Sequence, residues 1–326
     1  MTAEPAVPDY TADTRAALAV IAAHGNSGHP PTSAAQARAG SALTAVIGPP
    51  PPVAEVTTTT MPGPGGPIPL TVYRPVLDTG PQPGLVYFHG GGFVIHGDHS
   101  HDGFLRALAT GTGHVVVSVD YRLAPEHPFP AAVDDAEAAA CYVAAHASQF
   151  GIDPEKLSVA GDSAGATLAA VTARLTRTGG AALATQVLIV PHTLYPPQAD
   201  TVSRRQFDDG PYLTTELLAW FADQYVPDPQ DRSDPRAAPA LAPDLTGLPP
   251  ALVVTAGLDP LRDEGEQYAQ AMATAGVPVR QRRLEGAFHL LWLATKTNPA
   301  VQANLIGLVA EHLNNPQQQR QGRTST

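Results

Sequence analysis

A serine between two glycines follows a short apolar stretch, in the setting that serine nucleophiles need. A buried strand is predicted at residues 157–160, and Gly161-Asp162-Ser163-Ala164-Gly165 follows it as a G-x-S-x-G motif before an Ala/Leu-rich helix. The strand, sharp turn and helix would expose the serine hydroxyl at a helix N-terminus, where negative charge is favoured. The motif predicts Ser163 as a nucleophile, although a plain tight turn can carry the same glycines.

A second glycine motif ends an earlier predicted strand at residues 84–88. It reads His89-Gly90-Gly91-Gly92-Phe93. Three successive glycines let backbone N–H groups turn toward a ligand, which is how an oxyanion hole is built. A flexible glycine turn is the alternative, and it explains neither the leading histidine nor the position at a strand end.

A nucleophilic serine needs a general base and a carboxylate that orients it. His289 follows a strand predicted at 277–284, and Asp259 follows one predicted at 251–255. The order Ser163, Asp259, His289 is that of the α/β hydrolases. His312 lies in the last helix beside a polar tail, so we expect it at the surface. Glu264 lies in the first turn of a helix, where the helix dipole favours an acid.

One histidine-rich segment offers a different chemistry. It reads His96-Gly97-Asp98-His99-Ser100-His101-Asp102, and so many histidines and aspartates could bind a metal ion. Their spacing matches no closed zinc motif, and the segment lies where the chain must begin the next helix. We therefore expect neither a metal ion nor another cofactor.

The composition excludes several classes of partner. The 326 residues carry a net charge of −11 and include two lysines, so the chain has no basic surface for nucleic acid. Its one cysteine, Cys141, cannot form an internal disulfide, and we expect it to be a small buried apolar residue. No apolar run approaches the roughly 18 residues of a membrane span. These features, with an N-terminus that lacks a signal-peptide pattern, predict a cytoplasmic protein.

Short strands alternate with helices of ten or more residues, which predicts a mostly parallel sheet covered on both faces. Helices are predicted at residues 12–24 and 33–47, ahead of a stiff proline run at 49–52 that reads as a linker. Residues 196–232 break the alternation as a Pro- and Asp-rich insertion with one amphipathic helix. The polar residues 316–326 are predicted to be a disordered tail.

The chain resembles the hormone-sensitive-lipase-like esterases, in the branch with a G-D-S-A-G nucleophile motif. The resemblance extends over nearly the whole chain and is carried by the two glycine motifs, by residues 120–132 (DYRLAPEHPFPAA) and by residues 259–265 (DPLRDEG). It implies an eight-stranded α/β-hydrolase core at residues 51–195 and 233–315. A helical cap would come from residues 1–50 and 196–232.

The resemblance also implies roles for single residues. Ser163 would be the nucleophile, His289 the base and Asp259 the residue that orients the base. Oxyanion donors would be the backbone N–H groups of Gly91, Gly92 and Ala164, with Gly90 as a further candidate, while His89 would hold the glycine loop. The side chains expected to line the substrate pocket are Phe93, Val94, Asp162, Val190 and Leu290. The family's usual residues are replaced at Val190 and after His289, where Leu290 stands, so acyl preference is left open.

The function implied is hydrolysis of short- to medium-chain carboxylic esters through an acyl-enzyme, without metal or cofactor. The substrate would be a small-molecule ester, and the resemblance makes a homodimer an expectation. Two alternatives stay open from the sequence: an amidase or lactonase that uses the same triad, and a ligand-binding module of the same fold that has lost catalysis. The complete set of triad residues argues against the second alternative.

Overall fold

The computed structural model describes residues 11–24, 29–39, 42–77, 80–95 and 98–315. The predicted tail at 316–326 lies outside these residues. Within them, no helix combines the length and the apolar character that crossing a membrane requires.

One mixed sheet of eight strands forms the centre of the part of the chain described. The strands are β1 (Glu55–Gly63), β2 (Gly66–Arg74), β3 (Gln82–Phe88), β4 (Val115–Val119), β5 (Ile152–Asp162), β6 (Gln186–Ile189), β7 (Ala251–Leu258) and β8 (Val279–Phe288). Their order across the sheet is β1-β2-β4-β3-β5-β6-β7-β8. The first two junctions are antiparallel, and every junction from β4 to β8 is parallel. The predicted fold class, an α/β-hydrolase fold with a mostly parallel eight-stranded sheet, is confirmed.

Helices lie on both faces of the sheet, as the buried strands require. They are α1 (Ala12–Ala23), α2 (Ala34–Ala39), α3 (Asp98–Thr112), α4 (Ala131–Ala145), α5 (Ala164–Leu175), α6 (Val202–Gln206), α7 (Thr215–Tyr225), α8 (Arg262–Thr274) and α9 (Pro299–Leu313). Alternate residues of β3 enter different cores: Val86 and Phe88 pack with α4, α5 and α8, whereas Leu85 and Tyr87 pack with α1, α3 and α9.

The segment around α2, strand β1 and the short helix α6 inside the insertion 196–232 differ from the sequence expectation. The helix expected over 33–47 ends at Ala39, and a single 3-10 turn follows at Ala42–Val46. Gly40 and Ser41, which come between them in the sequence, are poor helix formers. Strand β1 was not predicted, because its run of four threonines is exposed and shows no alternation of polar and apolar residues. It is an edge strand that turns into β2 through a tight hairpin.

Candidate active site

Ser163 lies on a strained turn between β5 and α5. Its φ is +54° and its ψ −120°, a backbone conformation that costs a non-glycine residue about 1–3 kcal/mol. The neighbouring glycines make the turn feasible: a Cβ on Gly165 would overlap the carbonyl of Phe88, and a Cβ on Gly161 would overlap the backbone of Gly165. The spacing of small residues in the motif is therefore a packing requirement of the turn that exposes the serine.

The three predicted triad residues meet at the carboxyl edge of the sheet. His289 Nε2 lies 3.0 Å from Ser163 Oγ, and His289 Nδ1 lies 2.7 Å from Asp259 Oδ2. The Nδ1–H donates to the carboxylate, so Nε2 is left to accept the serine proton. Ser163 is 9% exposed, His289 3% and Asp259 0%. In this arrangement the histidine can act as a base and the carboxylate can hold its ring.

Strand ends bring these residues together. Ser163 follows β5, Asp259 follows β7 and His289 follows β8. Because the three strands are parallel, their carboxyl ends share one edge of the sheet. The second oxygen of Asp259 accepts the backbone N–H of Leu261 at 2.9 Å, which fixes the carboxylate before the helix begins.

The glycine motif forms a loop beside the serine. Gly91 and Gly92 have φ values of +110° and +62°, which glycine adopts without strain. Together with Ala164 they border the same cavity as Ser163 and His289. The N–H groups of Gly91, Gly92 and Ala164 make no hydrogen bond to another described residue, so they can receive an oxyanion.

Gly90 does not meet the expectation of a further oxyanion donor. Its N–H donates to Asp162 Oδ1 at 3.1 Å and is thus committed to a side chain buried on the other side of the loop. His89 lies at the base of the same loop: its ring stacks on Tyr121, and its Nδ1 is 2.7 Å from the carbonyl oxygen of Gly90.

A cavity of about 280 Å³ opens above the serine. Gly91, Gly92, Ser163, Ala164 and His289 form its floor. Its roof comes from two segments far apart in the chain, one that precedes and includes the N-terminal helix α2 and one around α7. The roof residues are His24, His29, Pro30, Pro31, Gln36, Ala37, Tyr212, Leu213, Leu217, Leu218, Phe221 and Ala222. A Cβ on Gly92 would overlap the ring of Phe221, so roof and floor are in close contact.

Two of the five side chains expected to line the pocket do so, and three do not. Phe93 and Leu290 border the cavity. The expectation is corrected for the other three because Val94 packs in the core beside α4 and α5, and Val190 in the core beside α1, α3 and α9. The Asp162 carboxylate turns away from the cavity toward Tyr87, Gly90 and His101.

Sequence reasoning missed two cavity residues that follow strand β6, His192 and Tyr195. Burial, together with the positive charge of Arg204, lowers the pKa of His192 to about 3, so this imidazole is neutral in ordinary buffers. Their position was a usable signal, because ligands of α/β sheets bind at the carboxyl ends of strands. The residues of the roof gave no comparable signal.

Two residues have an environment that the sequence did not predict. His312, expected at the surface, is 2% exposed, and its Nε2 lies 2.6 Å from Thr185 Oγ1. Glu264 does lie in the first turn of α8, but its carboxylate is fully buried. It forms an ion pair with Arg204 of α6 at 2.9 Å and accepts the N–H of Thr193 at 2.7 Å.

Cys141, expected to be a small buried apolar residue, is half-buried against the core.

The histidine-rich segment is only partly described. His96 and Gly97 lie outside the described residues. His101 is buried, and its Nε2 lies 3.0 and 3.1 Å from the two carboxylate oxygens of Asp162. Across the described ranges, no group of three His, Cys, Asp or Glu side chains could hold a metal ion.

Known proteins share both the sequence pattern and the structure. Residues 85–293 match the sequence profile of an α/β-hydrolase-fold family. The chain is 44% identical over 247 residues to the carboxylic ester hydrolase LipN of Mycobacterium tuberculosis, covering 74% of this chain and 65% of that protein. It is 42% identical to the esterase LipI of the same organism, over 76% of this chain and 78% of that protein.

Solved structures extend the likeness to almost the whole chain. The hyperthermophilic esterase of the archaeon Pyrobaculum calidifontis superposes with a TM-score of 0.85 at 41% identity, covering 94% of this chain and 98% of that one. A thermostable esterase from Pseudomonas putida gives 0.86 at 36% identity, over 95% and 99% of the two chains. The profile match, the identities and the superpositions agree with the motifs, and the chain belongs to the hormone-sensitive-lipase-like family of α/β hydrolases.

Proposed function

We propose that this protein is a serine carboxylesterase that hydrolyses short- to medium-chain carboxylic esters through an acyl-enzyme. The observation that carries the proposal is the Ser163–His289–Asp259 arrangement at 3.0 and 2.7 Å, beside three backbone N–H groups that bond to no described residue. The names of the relatives, which are esterases and ester hydrolases, support the same reaction.

The geometry gives each residue one task. His289 Nε2 takes the proton as Ser163 Oγ bonds to the ester carbonyl carbon, and the N–H groups of Gly91, Gly92 and Ala164 receive the oxyanion. The intermediate collapses as the C–O bond to the alcohol breaks, and His289 returns the proton to that oxygen. Water then attacks the acyl-enzyme with the same base, which releases the acid and the free serine.

The size of the cavity limits the substrate. A volume of about 280 Å³ lies just below the range for small-molecule pockets, roughly 300–1,000 Å³. Among the described residues, no Lys, Arg, Asp or Glu lines it. Both facts favour uncharged esters with acyl chains of about C2 to C8.

The test is a chain-length series of p-nitrophenyl esters, from acetate to palmitate, with wild type and Ser163→Ala. We expect turnover to be highest at C2 to C8 and to disappear in the Ser163→Ala variant. A wild type that hydrolyses no member of the series, or a Ser163→Ala variant that keeps full activity, would contradict the proposal. Matched anilides and lactones in the same assay separate ester hydrolysis from the amidase and lactonase alternatives.

We also propose that residues 1–50 and 196–232 act together as a cap over this cavity. The roof residues around α2 and α7 support this assignment, since they fall within those two ranges. Replacing Phe221 and Leu217 by alanine should shift the chain-length optimum to longer acyl groups. An unchanged optimum would contradict the assignment.

A homodimer and a cytoplasmic location complete the proposal. The outer edge of β8, the last strand in the sheet order, supports pairing with a second copy, because edge strands have backbone groups free to bond. We expect a particle of twice 33.9 kDa in light scattering, and a monomer after Gln281→Pro on this strand. The single cysteine supports a reducing compartment, which cell fractionation of the native protein would test.

A further inference from the structure

Asp162, the residue before the serine, has a carboxylate that the reaction does not use. It is fully buried, and the structure gives it three donors from three elements. Tyr87 Oη donates at 2.5 Å, the Gly90 N–H at 3.1 Å, and His101 Nε2–H lies 3.0 and 3.1 Å from the two carboxylate oxygens. Burying a carboxylate costs free energy unless hydrogen-bond donors surround it, and these three donors meet that need.

His101 is the basic group that faces this carboxylate. Burial by itself would raise the pKa of Asp162, but His101, the Tyr87 hydroxyl and the nearby His89 bring it below its usual value. The carboxylate is therefore ionised and held in place on the face of the glycine loop opposite the cavity.

The contact with Gly90 connects this pair to the oxyanion loop. A Cβ on Gly90 would overlap the carboxylate, so the loop backbone lies directly against Asp162. The next two residues, Gly91 and Gly92, border the cavity and are the proposed oxyanion donors. Fixing the Gly90 amide on Asp162 thus sets the direction in which the following two amides point.

We propose that Asp162 and His101 form a positioning pair that holds the oxyanion loop in its receptive conformation. The inference rests on the proposed esterase function and adds two positioning residues to it. Neither side chain borders the cavity, so both act through Gly90 and leave substrate contacts unchanged.

The test compares wild type with Asp162→Asn and His101→Gln. Active-site titration first gives the concentration of reactive Ser163 in each preparation, so that kcat refers to active enzyme. Asp162→Asn keeps the size of the side chain but replaces the carboxylate by an amide, and His101→Gln replaces the imidazole by an amide of similar length. We expect kcat to fall about 10- to 100-fold with KM changed less than threefold, because misplaced donors weaken binding of the oxyanion and not of the ester. A trifluoromethyl ketone, whose adduct with Ser163 carries an oxyanion, should lose affinity by the same factor as kcat/KM.

Asp102→Asn is the matched control, since Asp102 pairs with Arg106 and does not contact Asp162. It should stay within twofold of wild type in both assays. If Asp162→Asn and His101→Gln bind the ketone as tightly as wild type, the pair is only structural and the inference is overturned, whatever happens to stability. If Asp162→Asn does not fold, His101→Gln alone tests the inference, through its kinetic constants and its affinity for the ketone. A wild type that neither hydrolyses esters nor binds the ketone would instead remove the proposed function on which this inference rests.

Discussion

Two buried aspartate–histidine pairs lie on opposite sides of Ser163, and they are used differently. Asp259 binds His289 on the cavity side, and Asp162 binds His101 on the core side. Both aspartates are completely buried, and both lie at the end of a parallel strand.

The difference lies in what each pair faces. The second ring nitrogen of His289 meets the Ser163 hydroxyl, so its pair can move a proton. The Asp162 carboxylate also accepts the backbone N–H of Gly90, so this pair can hold the conformation of the oxyanion loop. In the proposed roles, the same two side-chain types act as catalyst or as anchor according to what each pair faces.

The largest effect should come from the pair that moves a proton. Asp259→Asn keeps the size of the side chain but leaves His289 in the wrong tautomer, and kcat should fall about 10⁴-fold with KM little changed. Steady-state rates on p-nitrophenyl butyrate measure this. A loss no larger than that of Asp162→Asn would erase the distinction between the two pairs.

A third buried pair, Glu264 with Arg204, can be compared with the two aspartate–histidine pairs. It contacts neither Ser163 nor the oxyanion loop, so we expect its loss to affect stability. Glu264→Gln leaves a buried guanidinium unpaired, and the free energy of unfolding should fall by about 3–5 kcal/mol. Urea denaturation measures the change. The control is Asp200→Asn, which removes the exposed partner of Arg205 on the same helix and should cost less than about 1 kcal/mol. Equal losses in the two variants would show that burial does not set the strength of these pairs.

His312 is a buried histidine without a carboxylate partner among the contacts described. Its Nε2 lies beside the Thr185 hydroxyl, so it can be compared with His289 and His101, which pair with aspartates. Burial, with the charge of Arg280, lowers its pKa to about 4, against about 6.5 in the unfolded chain. Between these values the unfolded chain binds a proton that the folded protein does not. Stability should therefore fall by about 3 kcal/mol as the pH drops from 6.5 to 4.

His312→Gln should make that pH dependence shallower, measured as the free energy of unfolding at each pH. The exposed His127, changed to Gln, is the control and should leave the slope unaltered. A slope in His312→Gln equal to that of wild type would show that other groups cause the acid sensitivity.

The smallest effect concerns an anchor at the surface. Arg38 of α2 donates to the carbonyls of Val94 and Ala124, both at 2.8 Å, and pairs with the exposed Glu126. Arg38→Met should lower kcat/KM about fivefold, because the two carbonyl contacts hold the chain just beyond the glycine loop. Glu126→Gln should change it less than twofold, since the pair is solvated. If both variants behave alike, the ion pair, and not the carbonyl contacts, anchors this segment.

The sequence was most informative where one segment determines its own geometry. The turn around Ser163 and the glycine loop were predictable because each needs small residues at fixed positions after a strand. Asp259 and His289 followed from the rule that parallel strands end at one edge. Strand β1 was missed because its four threonines are solvated on both sides of the pleat and leave no pattern.

Contacts between distant segments could not be predicted in this way. The roof of the cavity combines residues around 24–37 with residues around 212–222, and no local signal relates these two parts of the chain. Glu264 was assigned to the helix dipole because its partner, Arg204, lies 60 positions earlier in a short helix. In the sequence His101 is a candidate metal ligand, because the sequence does not show that Asp162 lies beside it.

The division of the cavity into floor and roof has a practical consequence for engineering. The floor is fixed by glycines that cannot accept a Cβ and by residues at strand ends, so a library that varies them mostly yields inactive protein. The roof consists of side chains on helices and loops outside the sheet, such as Leu217 and Phe221 of α7. Randomising these positions changes the shape offered to the acyl and alcohol groups while the reacting atoms stay in place. New ester specificities should therefore be sought in the roof alone.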